Sequence, residues 1–394
     1  MRRLLLFLLL VTRLAAAGAQ EEFVEPSRFL TRVPFHQYTG GVIVFSARVG
    51  NSPDTLNFLL DSGSGGISLD SMTAEALGLK PLPSDRSIRG IAGTRKVSFV
   101  NNLSLHLPGL SADSLNFHIN DYSLLTAVYG ERIDGIVGYS LLSRYILKIN
   151  YDSTYIDFWS KGSLKYPRGG FLLRPQISTL PVHPFRVRDE KAYNARFLYD
   201  LGAGLNMMFT TDFVRDSVFL KKKRKLFAKQ AEGLGGKIDM HMTVIREVRV
   251  GPYRFREVPV YVFNDLYNVT SYPTLAGLIG SDLLRRFNAI VNYDRGEIYL
   301  LPNSHFRDQF DYSYPGLELY LIDDLITVGD VAKGSPAEKA GLLEGDIVVS
   351  INKDFSQLLG RYKLLLQQTH ERVEVMVRRG TELKQFSFIV GSIQ

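Results

Sequence analysis

One pattern occurs twice in this chain, and each copy contains one aspartate. In the first copy, the apolar run Phe58-Leu59-Leu60 leads into Asp61-Ser62-Gly63-Ser64, and Ile136-Val137-Gly138 follows downstream. In the second copy, Phe197-Leu198-Tyr199 leads into Asp200-Leu201-Gly202-Ala203, and Leu278-Ile279-Gly280 follows. The aspartate and the later glycine are 77 residues apart in the first copy and 80 in the second. The sequence therefore predicts a duplicated unit.

The duplication changes how each Asp-x-Gly segment is interpreted. One such segment after a strand is usually a turn, because Asp bonds its own backbone and Gly permits positive φ. Two copies with the same neighbours favour a site in which Asp61 and Asp200 meet across a pseudo-two-fold axis. Carboxylates placed in this way share one proton and activate a water molecule. We expect the loops to be supported by the residues that follow each aspartate: Ser62, Gly63, Ser64, Gly202 and Ala203.

A glycine-rich segment lies between the aspartate and the later glycine motif in each half. These segments are Gly90-Ile91-Ala92-Gly93 and Gly233-Leu234-Gly235-Gly236. Both are flanked by residues with strand character, so each is predicted to be a hairpin tip. One interpretation is a pair of flaps that close over a ligand and exclude water. The alternative is two ordinary hairpin turns.

The N-terminus and the composition point to an exported globular protein. Arg2 and Arg3, an apolar stretch and Ala17-Gly18-Ala19 predict a signal peptide over residues 1–19. The chain has no cysteine, which excludes a thiol nucleophile and a cysteine-ligated metal. The histidines lack metal-site spacing, so no metal or other cofactor is expected. The basic run 221–225 is interpreted as solvated surface rather than a nucleic-acid site.

The predicted secondary structure divides the mature chain into three parts. Many short strands broken by Gly, Pro and Asn predict a mainly β fold with two β-barrel lobes, over residues 20–165 and 166–310. Residues 119–129 are predicted to be irregular. The last part, residues 311–394, begins a different α+β pattern. There Ser335 is a predicted N-cap before Pro336, and Gly341 ends the helix.

The two halves resemble the retropepsin and pepsin superfamily of aspartic peptidases in its single-chain form. Asp61-Ser62-Gly63-Ser64 matches the Asp-Thr/Ser-Gly signature, whereas Leu201 stands where that family carries a hydroxyl residue. The resemblance covers roughly residues 27–305. It implies two pseudo-symmetric β lobes, a catalytic pair formed by Asp61 and Asp200, and hydrolysis of peptide bonds.

The C-terminal part resembles a PDZ domain of the kind attached to bacterial exported proteases. The matching residues are 335–342, 345–348 and Ile351-Asn352. The resemblance implies that the segment after Tyr314-Pro315 holds a peptide carboxylate through successive backbone amides. The residues that would do so are Gly316, Leu317, Glu318 and Leu319. Alternatively, this domain only packs against the lobes.

Two functional hypotheses follow. The first is an exported aspartic endopeptidase, monomeric and located in the periplasm, cell envelope or medium, whose PDZ domain binds substrate or regulatory C-termini. Its partners would be polypeptides, with no nucleic acid and no membrane span in the mature chain. The second is a peptide-binding scaffold of the cell envelope that has lost catalysis because of Leu201.

Overall fold

The computed structural model describes residues 25–233 and 235–394. The predicted signal peptide and Leu234 of the second glycine-rich segment lie outside the described residues. Along the described chain, the first half contains eleven strands and three short helices, and the second half repeats the plan before a smaller C-terminal domain begins. The mainly β prediction is therefore confirmed.

The first lobe is built from strands β1 to β11. Its helices are α1 (Ser71–Ala76), α2 (Ser123–Tyr129) and α3 (Tyr139–Leu142). Its strands are β1 Phe29–Gln37, β2 Ile43–Val49, β3 Leu56–Leu60, β4 Ile67–Asp70, β5 Ser87–Gly90, β6 Gly93–Lys96, β7 Ser98–Leu107, β8 Leu110–Asn120, β9 Gly135–Val137, β10 Ile146–Asn150 and β11 Tyr155–Trp159.

The second lobe uses strands β12 to β22. Its helices are α4 (Thr211–Ser217) and α5 (Ser281–Leu284). Its strands are β12 Phe171–Leu173, β13 Gln176–Ile177, β14 Pro181–Arg188, β15 Ala192–Tyr199, β16 Met207–Thr210, β17 Phe227–Gly233, β18 Gly236–Val250, β19 Tyr253–Phe263, β20 Gly277–Ile279, β21 Phe287–Asn292 and β22 Glu297–Pro302.

The two lobes close in the same way. In the first lobe, the order β2-β3-β9-β4-β8-β7 is closed by pairing of β2 with β7. In the second, β14-β15-β20-β16-β19-β18 is closed by pairing of β14 with β18. Each closure makes a six-stranded barrel, which leaves no free edge within that set of strands. The predicted pair of β-barrel lobes is thus confirmed.

Strands β10, β11, β21 and β22 join the barrels into one body. Strand β10 pairs with β21, with Leu147 opposite Val291. The main hydrophobic core runs through both lobes and contains Phe58 and Phe117 from the first and Phe197 and Phe209 from the second. A shared core of this kind fixes the lobes relative to each other, because neither can move without exposing apolar surface.

Residues 119–129 are not irregular, and that prediction is wrong. Strand β8 continues to Asn120, and α2 follows at once. The Asp121 carboxylate accepts a hydrogen bond from the Ser123 amide at 2.9 Å. Gly130, at φ 67°, ends the helix. The helix has only seven residues, about two turns, which is too short for helical periodicity to identify it, and it packs against β24.

The C-terminal domain has a five-stranded sheet in the order β24-β25-β26-β27-β28. Its helices are α6 (Pro336–Ala340), which has the predicted Ser335 cap, and α7 (Leu359–Leu365). Its strands are β23 Ser313–Tyr314, β24 Leu317–Ile322, β25 Leu325–Val331, β26 Ile347–Ile351, β27 Arg372–Arg379, β28 Glu382–Ile389 and β29 Gly391–Ser392.

This domain docks on both lobes. Its Tyr314 packs edge-on against Phe227 of β17, with ring centroids 4.9 Å apart, and the Tyr314 hydroxyl donates to the Ala228 carbonyl at 3.0 Å. On the first lobe, α2 packs along β24, and the Lys363 Nζ of α7 donates to the Val128 carbonyl at 2.5 Å. Within residues 25–233 and 235–394, no helix has the length and apolar character needed to span a bilayer.

Replacing Phe227 by Ala should loosen this docking. Phe227 is buried against Tyr314, so its loss leaves a cavity at the contact and costs about 3–5 kcal/mol of local stability. We expect the C-terminal domain to unfold in a separate, earlier calorimetric transition. Phe355→Ala, at an exposed position of the same domain, is the control and should leave the thermogram unchanged. Unchanged thermograms for both variants would contradict the docking role of Phe227.

Candidate functional site

Asp61 stands at the end of β3, on a loop held by the strand beside it. Strand β3 runs parallel to β9, with Leu60 opposite Val137. The Asp61 amide donates to the Val137 carbonyl at 2.9 Å. Its own Oδ1 accepts from the Gly63 amide at 2.7 Å. The apolar-apolar-Gly segment identified in the sequence thus positions the aspartate.

The Asp200 loop has the same construction. Strand β15 runs parallel to β20, with Tyr199 opposite Ile279, and the Asp200 amide donates to the Ile279 carbonyl at 2.9 Å. The Asp200 Oδ1 accepts from the amides of Gly202 at 2.8 Å and Ala203 at 3.1 Å. Two aspartates are therefore presented by equivalent strand ends.

The two loops face each other across the junction of the lobes. A Cβ added to Gly63 would lie 2.5 Å from the Asp200 Oδ2, and one added to Gly202 would lie 2.4 Å from the Asp61 Cγ. Each glycine is therefore needed because the opposite carboxylate occupies the space of a side chain. The two carboxyl groups also hydrogen-bond to each other. The sequence-predicted pair is brought together.

Burial raises the pKa of both acids. The pKa of Asp61 lies well above its ordinary value of 3.8, first because of burial and second because of the Asp200 charge beside it. The pKa of Asp200 is also raised by burial, although its hydrogen bonds to Asp61 and to the Gly202 and Ala203 amides oppose that shift. The pair therefore holds one proton over a range in which isolated aspartates have lost theirs.

Ser62 ties the two loops together. Its hydroxyl donates to the Tyr199 carbonyl at 2.8 Å and accepts from the Leu201 amide at 2.9 Å. Both contacts cross from one lobe to the other, and Ser62 is buried. The Leu201 side chain can offer no equivalent contact in return, and it is buried in the shared core. The interlock is therefore made by the Ser62 hydroxyl and two backbone groups of the opposite loop.

Three residues that sequence reasoning did not select complete the surroundings of the pair. The Ser281 hydroxyl donates to the Leu201 carbonyl, which anchors the second loop from α5. Tyr122 hydrogen-bonds Ser68 at 2.7 Å and lines the cleft. Tyr293 lies close enough for the charges of both aspartates to raise its pKa, after burial as the larger cause. These three residues are far from Asp61 and Asp200 along the chain, so no local sequence motif could identify them.

Both glycine-rich segments are hairpin tips over the cleft. Gly90 pairs with Gly93 between β5 and β6, and Gly233 pairs with Gly236 between β17 and β18. The tips meet, since a Cβ on Gly233 would lie 2.5 Å from the Ile91 side chain. Ala92 lies in the first tip beside Gly235. Beneath them is a cavity of about 1240 Å³ that contains both aspartates.

The same cavity reaches the C-terminal domain. Gly316, Leu317, Glu318 and Leu319 line it together with Asp61 and Asp200. Gly316 is in the loop that precedes β24, and the Glu318 carboxylate pairs with Lys229 of β17 at 2.6 Å. The candidate carboxylate-binding loop and the aspartate pair thus open onto one continuous space.

The described chain offers no ligand set for a metal ion. Across residues 25–233 and 235–394, no group of three or more His, Asp or Glu side chains is placed to hold one. The basic run includes Arg224, whose guanidinium pairs with the buried Asp189, so this cation serves the packing of the second lobe.

Comparison with protein families agrees with this geometry. An aspartyl protease model matches residues 45–141 and again residues 184–283, which together make half of the chain. The chain belongs to the aspartyl protease family. Both matched segments include one aspartate loop and its supporting apolar-apolar-Gly strand. A PDZ domain model matches residues 327–379, within the C-terminal domain. No curated protein matches this aspartyl protease chain.

Replacing Ser62 by Ala should weaken the interlock. The substitution removes the hydroxyl partner of the buried Tyr199 carbonyl and Leu201 amide, at a cost of about 1–3 kcal/mol. We expect a lower midpoint in urea denaturation, while Ser62→Thr, which keeps the hydroxyl, stays close to the parent protein. Ser46→Ala on the exposed face of β2 is the control. A Ser62→Ala midpoint equal to that of Ser46→Ala would show that the interlock contributes nothing.

Proposed function

We propose that this protein is an aspartic endopeptidase that uses Asp61 and Asp200 as its catalytic pair. The observation that carries the proposal is the mutual contact of the two carboxyl groups, with a glycine of each loop making room for the opposite aspartate. The substrate is a polypeptide bound in extended form between the lobes. The tips formed by Gly90 to Gly93 and by Gly233, Gly235 and Gly236 act as flaps that shield the site from solvent.

The two carboxyl groups take complementary roles. Burial favours a protonated form of the pair; in this assignment Asp61 carries the shared proton and Asp200 is the ionised partner. Asp200 draws a proton from a water molecule as the water oxygen attacks the scissile carbonyl carbon. Asp61 gives its proton to the carbonyl oxygen. When the tetrahedral intermediate collapses, Asp61 takes back a proton from one of the two hydroxyl groups, the C–N bond breaks, and Asp200 gives its proton to the leaving amine.

Leu201 favours a second candidate function. The family signature carries a hydroxyl at this position, and here a buried aliphatic side chain replaces it. A peptide-binding scaffold that holds polypeptides without cutting them is consistent with that substitution. A transition-state mimic of peptide hydrolysis separates the two, since only a working pair binds it much more tightly than a plain peptide.

We propose export through the signal peptide at residues 1–19 to the periplasm, cell envelope or medium, as a monomer. The PDZ domain binds peptide C-termini through Gly316 to Leu319. The matched PDZ model supports this, and the reach of the cavity to these residues adds to the support.

Replacing Asp61 by Asn should abolish cleavage of an unfolded protein substrate. Asn cannot deliver the proton that the carbonyl oxygen needs, so we expect a loss of at least about 10²-fold in kcat. Cleavage is followed by mass spectrometry of the fragments. Asp54→Asn, in the exposed turn between β2 and β3, is the matched control. Full activity of purified Asp61→Asn protein would refute the catalytic role.

The pH dependence of kcat/KM should be bell-shaped on the acidic side of neutrality. Activity rises as the pair loses its first proton and falls as it loses the second, and both steps belong to the pair rather than to one residue. Because burial raises both pKa values, we expect the acid limb above the ordinary aspartate pKa of 3.8. A profile still rising at alkaline pH would contradict the shared-proton mechanism.

The same shifts predict how stability varies with pH. A carboxyl group with a raised pKa in the folded state binds its proton more tightly there than in the unfolded chain. Folding stability therefore decreases as pH rises from the unfolded pKa to the folded one. We expect Asp61→Asn to raise the thermal midpoint at neutral pH and to lose this advantage in acid. A constant difference across pH would contradict the raised pKa.

A further inference from the structure

Only half of the peptide-binding groove of the PDZ domain is open. In a PDZ fold the bound peptide adds to the edge strand opposite a helix, here β24 opposite α7. The groove end near the carboxylate loop opens onto the central cavity and is lined by Leu317, Leu319 and Leu366. The other end begins at Leu359, the first residue of α7.

Helix α2 of the first lobe fills that other end. It packs along β24, and the Val128 carbonyl accepts the Lys363 Nζ at 2.5 Å. Gly130 lies against α7, because a Cβ added there would be 2.9 Å from the Leu359 Cδ2. Ala127 of α2 is buried. A peptide following the edge of β24 would therefore run into α2 within a few residues.

The open end leads to the aspartates. The cavity that contains Leu317 and Leu366 also contains Asp61 and Asp200, and α2 forms part of its wall through Leu125 and Val128. A bound peptide whose C-terminus lies in the carboxylate loop therefore extends from that loop into this cavity. Strand β17 lines this cavity. It runs from Ala228, whose carbonyl accepts the Tyr314 hydroxyl, to the hairpin tip at Gly233.

We propose that the half-groove is a subsite of the catalytic cleft and that the substrates are polypeptides cut near a free, apolar C-terminus. The terminal carboxylate is held by the loop at Gly316 and Leu317, and the last side chain packs against Leu366. This rests on the proposed peptidase function. Strand β17 takes five residue steps, or about 17 Å, from Ala228 at the Tyr314 contact to Gly233 at the hairpin tip. An extended peptide of about the same number of residues spans that length.

The first test measures cleavage by the full chain. Two peptides of identical sequence end in leucine, one as the free acid and one as the amide. We expect kcat/KM about tenfold higher for the acid, because the amide lacks the charge that the loop binds. Residues inserted just before the C-terminal leucine should shift the cut by the same number of positions. Equal rates and a cut tied to local sequence would overturn the inference and leave the peptidase function intact.

The second test does not depend on activity. Asp61→Asn protein is titrated with fluorescent acid peptides, one of ten residues and one containing only its last three residues. A chain that occupies both the loop and the cleft should bind about tenfold more tightly than the short one. Equal affinities would overturn the inference. Binding as expected, with no cleavage by the parent protein, would reject the peptidase function and keep the continuous site.

A third test asks whether α2 must leave the groove. The cysteine-free chain allows Val128→Cys with Lys363→Cys to be joined by a short crosslinker, with the unlinked double variant as control. We expect the long acid peptide to bind both forms equally. Loss of binding on crosslinking would show that the peptide runs along β24 by displacing α2, which would overturn the inference. Leu366→Ala should weaken acid-peptide binding, and Leu383→Ala on the exposed face should not.

Discussion

The cross-lobe contact of Ser62 is the interaction on which the site depends. One buried hydroxyl satisfies a carbonyl and an amide of the opposite loop at 2.8 and 2.9 Å. These bonds hold the loops close enough for two carboxyl groups to meet, which like charges would otherwise resist. The parallel pairs β3–β9 and β15–β20 fix each loop from below, and the core shared by the barrels keeps the lobes in register. The shifted pKa values are consequences of that arrangement.

Leu201 alters this arrangement without breaking it. In place of a second hydroxyl, its side chain packs in the shared core, and Ser281 anchors its carbonyl from α5. The second loop is thus held by apolar packing and by a bond from its own lobe, whereas the first is held across the lobes. The support of the two loops is therefore asymmetric.

Helix α2 links the cleft to the C-terminal domain. One of its sides borders the cavity of the aspartate pair, and another fills part of the groove between β24 and α7. It is followed closely by β9, whose Val137 carbonyl holds the Asp61 amide. A single short helix therefore contacts both the cavity of the aspartate pair and the groove of the C-terminal domain, and it lies close in sequence to β9, which supports Asp61. The C-terminal domain is in this sense part of the wall of the site.

The sequence by itself determined the elements whose signals are local. Strand ends before Asp61 and Asp200, the glycines that tolerate a facing carboxylate, and the Ser335-capped helix all follow from residue type and spacing. Tertiary structure alone decided the rest. Helix α2 is too short to carry a periodic signal, and folding brings Tyr122, Ser281 and Tyr293 into the surroundings of the pair. The meeting of the cleft with the PDZ groove depends on how three units pack, and such packing is set by surfaces far apart in the chain.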